Sequence, residues 1–358
     1  MVPASSSSTK IDLDDRRWHI DDAVVRLRRW GAEHAYHLPE PPGGPLKLGS
    51  ALTCDVQLHD EAGLLSREHA VLTPGPTGWE ILDWDSKNGL WVEGVRATKR
   101  TLQAGLKLQL GGLILVAESL KSIGLRSLVS RLVGWGPARR SGVDEALQNL
   151  RDCAIQRTPL ILIGDHDLAP VAARLHRMTL GPKAPFLSYD GADLVADGAV
   201  ITAIQAARHG TLCVPIRRRA TASAVADAVH AVDIATRPRL VLCASNVGDA
   251  AAVSTTPGRR AVISIPPLSE RTGEILRLVH EAAQDIVQEL GAPSTGFTMH
   301  DLERLQAMKF SGMADLEDSI RRIVAMRTWG VTAGAQRLGL KHSSLSQWAR
   351  NKNRRLST

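Results

Sequence analysis

The segment 46–89 constrains the fold of this chain more than any other part of the sequence. Short, largely apolar runs alternate there with three polar clusters, at 49–50, 66–69 and 86–89. A glycine stands in the first and in the last cluster, where turns need a permissive backbone. Alternation of this kind is typical of a β-sandwich whose loops collect at one end. The segment therefore predicts an all-β sandwich near the N-terminus, with the functional groups in its loops.

Two of the polar clusters carry recognisable motifs. Ser66 and His69 form a Ser-x-x-His motif. Ser86, Asn88 and Gly89 form a Ser-x-Asn-Gly motif. The order and spacing of these motifs resemble the forkhead-associated (FHA) domain, a phosphothreonine-binding module. The resemblance implies that Ser66 contacts the phosphate and that His69 braces its loop internally. It also implies that Asn88 holds the peptide backbone, while Gly89 permits the turn.

The first polar cluster departs from the FHA pattern. The family usually has an arginine directly after the glycine of this cluster, and that arginine grips the phosphate, whereas this chain has Ser50. Arg67 and Lys87 lie in the other two clusters and could supply the positive charge that phosphate recognition uses. The alternative is a sandwich that keeps its loops but no longer binds phosphate. The predicted phosphopeptide-binding residues are Ser50, Ser66, Arg67, His69, Ser86, Lys87, Asn88 and Gly89.

The pattern changes at residue 143, where helical stretches begin to alternate with apolar runs such as 160–163 and 240–243. Uninterrupted apolar runs indicate parallel strands that are buried on both faces, as in an α/β domain. Residues 143–312 also resemble the AAA+ domain of sigma-54-dependent transcriptional activators, most clearly in the run 265–271, which reads Ile-Pro-Pro-Leu-Ser-Glu-Arg. The resemblance implies the fold of an ATPase.

The residues that would bind ATP in such a domain are missing. A phosphate loop needs glycines whose N–H groups cradle phosphate, a lysine for charge and a hydroxyl group for magnesium. Here Pro170 stands at the lysine position without an N–H to donate, Asp165 would repel phosphate, and no acidic pair follows Leu212. We therefore predict a pseudo-ATPase with no catalytic residue, cofactor or metal. Weak nucleotide binding without hydrolysis is the alternative. The degenerate loop comprises Gly164, Asp165, Ala169 and Pro170.

The C-terminal residues, from 298 onward, are patterned as helices. The run 331–340 predicts a helix and a tight turn at Gly339, and the run 342–350 predicts a second helix with Leu345 facing inward. This helix-turn-helix resembles the Fis-type DNA-binding domain that closes sigma-54 activators, in which the recognition helix follows the turn. A small helical bundle with a solvated basic tail is the alternative. The predicted DNA-binding residues are Lys341, His342, Ser343, Ser344, Gln347, Arg350, Lys352 and Arg354.

The overall charge agrees with nucleic-acid binding without establishing it. The net charge is +7 and the isoelectric point is about 9.5. The tail after Arg337 has basic residues and no acidic one. The four cysteines lie far apart, without metal-ligand spacing, which favours reduced thiols in a cytoplasmic protein. No stretch of about 18 apolar residues predicts a membrane span, and the Ser-rich N-terminus does not resemble a signal peptide.

These patterns predict a multidomain chain that is all-β, then α/β, then all-α. The predicted divisions are 1–20, a disordered leader; 21–118, an FHA β-sandwich; 119–142, a linker with one short helix; 143–297, a degenerate AAA+-like domain; and 298–358, a helical segment with a Fis-type helix-turn-helix. A spacer or a dimerisation domain is the simplest role for the α/β part.

The order of the domains predicts a transcriptional regulator that binds double-stranded DNA through its C-terminal helix-turn-helix. A phosphothreonine-containing protein, either a Ser/Thr kinase or a substrate of one, would control it through the FHA domain, without ATP hydrolysis. A homodimer is implied because such DNA-binding domains usually read palindromes as dimers, and contact with RNA polymerase is a further expectation. Two other hypotheses stay open: a phosphopeptide-dependent adaptor with a vestigial DNA-binding end, and an ATP-driven sigma-54 activator.

Overall fold

The fold is described from a computed structural model of the chain. The residues that it describes are 22–40, 43–165, 167–189, 194, 198–216, 219–252 and 261–354. The predicted disordered leader, 1–20, lies outside these residues. Within them a β-sandwich, a parallel α/β sheet and a group of helices follow one another along the chain. This succession of all-β, α/β and helical regions is the one that the sequence predicts.

The N-terminal region is a sandwich of two sheets. Its strands are β1 (Val24–Arg29), β2 (Ala35–His37), β3 (Leu46–Gly49), β4 (Val56–Gln57), β5 (Ala70–Gly75), β6 (Gly78–Asp83), β7 (Leu90–Val92), β8 (Val95–Ala97), β9 (Lys99–Thr101), β10 (Lys107–Leu110) and β11 (Leu113–Ser119). One sheet has the order β2-β1-β11-β10-β7-β8, and the other has the order β4-β3-β5-β6-β9. Neighbouring strands are antiparallel, except that β3 and β4 run parallel.

Alternate side chains of the two sheets form the core of the sandwich. In β7, for example, Leu90 and Val92 are buried while Trp91 between them faces solvent, as the two-residue period of a strand requires. Trp79 on β6 is also buried in this core. Burying a large apolar side chain contributes roughly 1.5–3 kcal/mol, so the alternation that predicts the strands also holds the two sheets together.

Two helices lead from the sandwich into the α/β sheet: α1 (Leu120–Val133) and α2 (Arg140–Gln156). Ser119 caps α1, because its hydroxyl accepts the N–H of Ser122 at 3.1 Å and the Ser122 hydroxyl accepts the N–H of Ser119 at 2.8 Å. The apolar side chains of α1, three and four residues apart, are buried with those of the sheet. The segment 119–142, predicted as a linker with one short helix, therefore contains all of α1 and the start of α2 and packs as part of the core.

The α/β region is one parallel sheet with helices on both faces. Its elements are β12 (Leu160–Ile163), α3 (Ala169–Leu180), β13 (Phe186–Ser188), α4 (Ala199–Ala206), β14 (Thr211–Pro215), α5 (Arg219–His230), β15 (Arg239–Ala244), α6 (Val247–Ala252) and β16 (Ala261–Ser264). The strand order is β13-β14-β15-β12-β16, with parallel pairing throughout. Every residue of β12 is buried, because separate apolar clusters cover the two faces of the sheet. The AAA+ assignment of this α/β region stays a prediction.

The C-terminal region is helical. Its helices are α7 (Ile275–Leu290), α8 (Met299–Ala307), α9 (Met313–Arg337) and α10 (His342–Arg354). Gly330 interrupts α9 with a φ of 74° and a ψ of 177°, so α9 consists of two helical pieces. Leu316, Ile320 and Ile323 on the first piece are buried in a cluster shared with α7. No helix in the described part of the chain is long and apolar enough to cross a membrane.

Buried ion pairs join the sandwich to α1 and α2. Arg28 on β1 is 1% exposed; its Nε donates to Glu118 on β11 at 2.7 Å, and its terminal nitrogens donate to Asp144 on α2. Arg126 on α1 donates to the same Asp144 carboxylate. Burial opposes the charge on Arg28, but the Glu118 and Asp144 carboxylates outweigh it and raise the pKa of the guanidinium. These ion pairs, in addition to the covalent chain, therefore hold the sandwich against α1 and α2.

Candidate functional site

His69 is buried and connects two of the predicted loops. Its Nδ1 accepts the backbone N–H of Ser66 at 3.1 Å, and its Nε2 lies 3.2 Å from the carbonyl oxygen of Gly89. Since Nδ1 accepts, the proton is on Nε2, which donates to that carbonyl. Burial lowers the pKa of the imidazole, although the hydrogen bond to Gly89 acts in the opposite direction. A neutral His69 therefore sets the distance between the loop of Ser66 and the loop of Asn88.

Two further hydrogen bonds tie the same loops together near the surface. The Ser66 hydroxyl accepts the backbone N–H of Lys87 at 3.0 Å. Nδ2 of Asn88 donates to the carbonyl oxygen of Leu64 at 2.6 Å. The Ser66 hydroxyl hydrogen and the Asn88 amide oxygen have no partner among the described residues. Both side chains are partly exposed, so these two atoms are available to a ligand.

Ser86 is the third side chain that builds these loops. It is buried, and its hydroxyl donates to Oδ1 of Asp83 at 2.6 Å and accepts the N–H of Gly89 at 3.0 Å. Gly89 has a φ of 74°, in the left-handed region that glycine adopts without strain. Ser86 and His69, both predicted as binding residues, therefore shape the loops from within, because their polar atoms are already used by the protein.

The first polar cluster lies directly against the second. The N–H groups of Ser50 and Ala51 donate to the carbonyl oxygens of Ser66 and Arg67, at 3.1 and 3.0 Å. A Cβ on Gly49 would lie 2.0 Å from the Arg67 carbonyl oxygen, so only glycine allows the two loops to come this close. Ser50 itself is exposed. It presents a hydroxyl group where the FHA pattern has an arginine.

Exposed cations surround the loop end of the sandwich. Arg67 and Lys87 are exposed, and neither has an ion-pair partner in the described part of the chain. A third cation is Arg96 on β8, which the motifs do not include. Its Nε lies 2.7 Å from the point that a Cβ on Gly89 would occupy. The turn after β7 could have signalled it, since a tight hairpin brings position 96 back opposite Trp91.

The predicted degenerate nucleotide loop lies at the carboxyl ends of the parallel strands. Gly164, Asp165 and Ala169 line an open cleft there with a volume of about 660 Å³. Oδ1 of Asp167 accepts the N–H of Ala169 at 3.0 Å, and Pro170 stands in the first turn of α3. Free N–H groups at a helix N-terminus are what usually binds phosphate. Here the Asp167 carboxylate already accepts one of these N–H groups, and Pro170 has no N–H to donate.

The helices α9 and α10 are joined by a turn at Gly339, which has a φ of 66°. Leu345 is fully buried on the inner side of α10, and Trp348 lies between the guanidinium groups of Arg304 and Arg322, at 5.6 and 5.4 Å from the ring centre. The side chains of Lys352 and Arg354 lie outside the described ones. The predicted DNA-contacting residues that are exposed are Lys341, His342, Ser343, Ser344, Gln347 and Arg350.

The family comparison concerns the sandwich alone. Residues 31–119 match the family model for the cytoplasmic domain of the inner membrane component of the type III secretion system. None of the curated proteins matches the sequence. The N-terminal region is therefore an FHA-like domain. The two packed sheets, the two loop motifs joined through His69 and this family match together support that conclusion.

Several solved structures, FHA domains among them, are similar to part of this chain. The FHA domain of CT664 from Chlamydia trachomatis is 28% identical, over 26% of this chain and 95% of that chain, with a TM-score of 0.24. The first FHA domain of Rv1747 from Mycobacterium tuberculosis is 26% identical, over 26% of this chain and 94% of that one, with a TM-score of 0.23. EmbR from Mycobacterium tuberculosis, in complex with a low-affinity phosphopeptide, is 25% identical over 30% of this chain and 27% of that one, with a TM-score of 0.24.

Proposed function

We propose that this chain is a transcriptional regulator that binds double-stranded DNA through α10 and is controlled by phosphothreonine recognition at its FHA-like domain, without ATP hydrolysis. The observation that carries the proposal is the convergence of Ser66, Lys87 and Asn88 at one end of the sandwich. A hydroxyl group and an amide oxygen are available there beside exposed cations. A dianionic phosphate on a peptide is a ligand that needs this combination of groups.

The partner at the FHA-like domain is a phosphothreonine-containing protein, a Ser/Thr kinase or its substrate. The Ser66 hydroxyl would donate to the phosphate, and Asn88 would hold the peptide backbone through its free amide oxygen. Arg67 and Lys87 would supply charge. Because Ser50 replaces the usual arginine, one charge-assisted hydrogen bond is missing. We therefore expect an affinity lower than is usual for the family.

The partner at the C-terminus is DNA. Helix α10 keeps Leu345 inside and presents serine, glutamine, histidine and arginine side chains outward, which are groups that can bond base edges and phosphates in a major groove. A homodimer would present two such helices to a near-palindromic site. Contact with RNA polymerase would follow from binding near promoters. The degenerate nucleotide loop, which lines the cleft at the start of α3, supports a regulator that works without ATP.

Genome-wide DNA occupancy of the tagged full-length protein tests the proposal, with and without phosphatase treatment of the extract. We expect discrete occupied sites whose occupancy changes after phosphatase, and we expect Ser66→Ala to reproduce the phosphatase result in untreated extract. Arg100→Ala, which changes an exposed residue on β9, is the matched control. If the occupancy of DNA sites changes neither with phosphatase treatment nor with Ser66→Ala, phosphothreonine control is refuted. A protein that captures phosphoproteins but occupies no DNA would instead be an adaptor.

A further inference from the structure

Arg96 reaches the phosphopeptide end of the sandwich across a hairpin. Strands β7 and β8 are joined by a turn in which Glu93 and Gly94 have φ values of 51° and 78°, and the register places Arg96 opposite Trp91. Both side chains therefore lie on the outer face of the sheet, where each is exposed. From this position Arg96 extends towards Gly89, the residue that follows Asn88.

Gly89 leaves the space that the Arg96 guanidinium occupies. A Cβ at Gly89 would lie 2.7 Å from Nε and 3.2 Å from Cζ of Arg96. Any other residue at 89 would therefore displace the arginine, in addition to straining a backbone with positive φ. On the same face, Nε1 of Trp91 donates to the carbonyl oxygen of Asn88 at 3.1 Å. The two side chains of the hairpin thus lie against the backbone of Asn88 and Gly89.

The charge of Arg96 is not neutralised by any group in the described part of the chain. No carboxylate within the described residues forms an ion pair with it. Glu93 in the adjoining turn is engaged elsewhere, by Arg151 at 2.9 Å and by the N–H of Lys107 at 2.9 Å. Arg96 thus presents an exposed guanidinium beside Asn88, the residue that is expected to hold the peptide. Such a group is suited to binding a carboxylate on the bound peptide.

We propose that Arg96 is a specificity-determining residue that bonds an acidic side chain in the peptide segment flanking the phosphothreonine. The ligand class is then an acidic phosphothreonine peptide, in which an aspartate or glutamate accompanies the phosphate. This inference rests on the proposed binding of phosphothreonine at Ser66 and Asn88.

Calorimetry with matched peptides tests the proposal on the full chain. The peptides carry one phosphothreonine and differ only in having aspartate, alanine or lysine at each neighbouring position in turn. We expect the wild-type protein to prefer aspartate at one position by at least about threefold, and more at low salt, because exposed charge pairs are weak and screened. Arg96→Ala should bind the alanine peptide as the wild-type protein does and lose the preference. Arg96→Glu should prefer the lysine peptide, and Arg100→Ala should behave like the wild-type protein.

The outcomes separate this inference from the function on which it rests. A wild-type protein that binds acidic and neutral phosphothreonine peptides equally would overturn the role of Arg96 while leaving phosphothreonine binding intact. Loss of the neutral peptide in a folded Arg96→Ala protein would also overturn it, because Arg96 would then hold the phosphate or backbone. Failure of every phosphothreonine peptide to bind the wild-type protein would refute the proposed function itself, and this inference with it.

Discussion

The neutral state of His69 makes the FHA-like domain sensitive to acid. Burial lowers the pKa of His69 in the folded chain, below the value of about 6.5 that it has when unfolded. Protonation therefore favours the unfolded state, and stability is fully present above about pH 6.5 and decreases as the pH falls through the folded pKa. Urea unfolding at pH 7.5 and 5.5 should show this decrease, and it should be smaller in a folded His69→Gln variant. His59→Ala, which removes an exposed histidine, is the matched control variant.

Ser66 and Ser86 should respond differently to replacement by alanine, because Ser66 is partly exposed and Ser86 is buried. Ser66→Ala should remove phosphothreonine-peptide binding with little change in stability, and Asn88→Ala should weaken binding as well. Ser86→Ala leaves Asp83 and the N–H of Gly89 without their partner, and should cost about 1–3 kcal/mol of folding free energy. Calorimetry and chemical denaturation measure the two effects. Equal losses of stability in Ser66→Ala and Ser86→Ala would contradict the assignment.

Local motifs predict most of the residues at this site, since Ser66, His69 and Asn88 lie within a few positions of the turns that place them. The resemblance assigns His69 to the inside of its loop, but the motifs give no such sign for Ser86. The place of Ser86 depends on burial, which puts its side chain inside the loop. Arg96 is missed for another reason: its position depends on strand pairing across a hairpin, and no motif includes it.

Helix α3 should not bind nucleotide. Its first turn contains Pro170, and the carboxylate of Asp167 accepts the N–H of Ala169, so donors that cradle a phosphate are absent or used. The purified protein should show no thermal shift with Mg-ATP and no ATPase activity above a blank. Asp167→Ala frees the N–H of Ala169 and should still give no shift, since the proline remains. Magnesium-dependent turnover that persists through purification would refute the pseudo-ATPase prediction.

Helix α10 and the basic tail should affect DNA binding in two distinct ways. Replacing Gln347 or Ser344 with alanine should cost about 1–3 kcal/mol on the preferred site and leave non-specific binding nearly intact. Replacing Lys352 and Arg354 should weaken binding to all sequences and reduce the salt dependence by a slope of about 0.9 per lost phosphate contact. Gel-shift titrations at several salt concentrations, on a selected site and on random DNA, measure both. Equal weakening of specific and random DNA by all these variants would indicate that α10 does not read bases.

The periodicity of apolar residues predicts strands and helices better than it predicts which elements pack against each other. The apolar runs of the sheet follow directly from the sequence. Segment 119–142 reads as a linker because its charged and Gly-Pro residues interrupt the pattern. The structure buries its charges in specific pairs: Arg131 on α1, for example, donates to Asp285 on α7 at 2.6 Å. Such long-range pairing has no local signal.

Ion pairs connect α1 and α3 to the C-terminal helices. Asp285 accepts from Arg131 on α1 and from Arg174 on α3. Burial opposes its charge, but these guanidinium groups outweigh it and lower the pKa of the carboxyl group. Arg271, the last residue of the run 265–271, is buried. It donates to the carbonyl oxygens of Arg131 and Leu132, both at 2.9 Å, and so provides partners for carbonyl groups at the C-terminal end of α1. Helix α1 is thus linked both to the sandwich, through Asp144, and to the C-terminal helices, through Asp285.

Asp144 is the residue on which this connection depends most. It accepts from Arg28 on β1 and Arg126 on α1, and its side chain is 1% exposed. Asp144→Ala would leave two buried guanidinium groups without this partner, which should cost roughly 3–5 kcal/mol. We expect the sandwich to unfold or separate from α2 first, giving two unfolding transitions in place of one and early proteolysis between them.

The control for Asp144→Ala is Glu61→Ala, which removes a carboxylate that faces Arg29 at 3.5 Å but is mostly exposed. An exposed pair of this kind contributes about 0–1 kcal/mol, so the variant should unfold like the wild-type protein. If Asp144→Ala weakens DNA binding while phosphopeptide binding persists, signal and response are linked through α1. If both activities survive with a single transition, the two ends act independently, and phosphothreonine control would have to operate by recruitment to a partner.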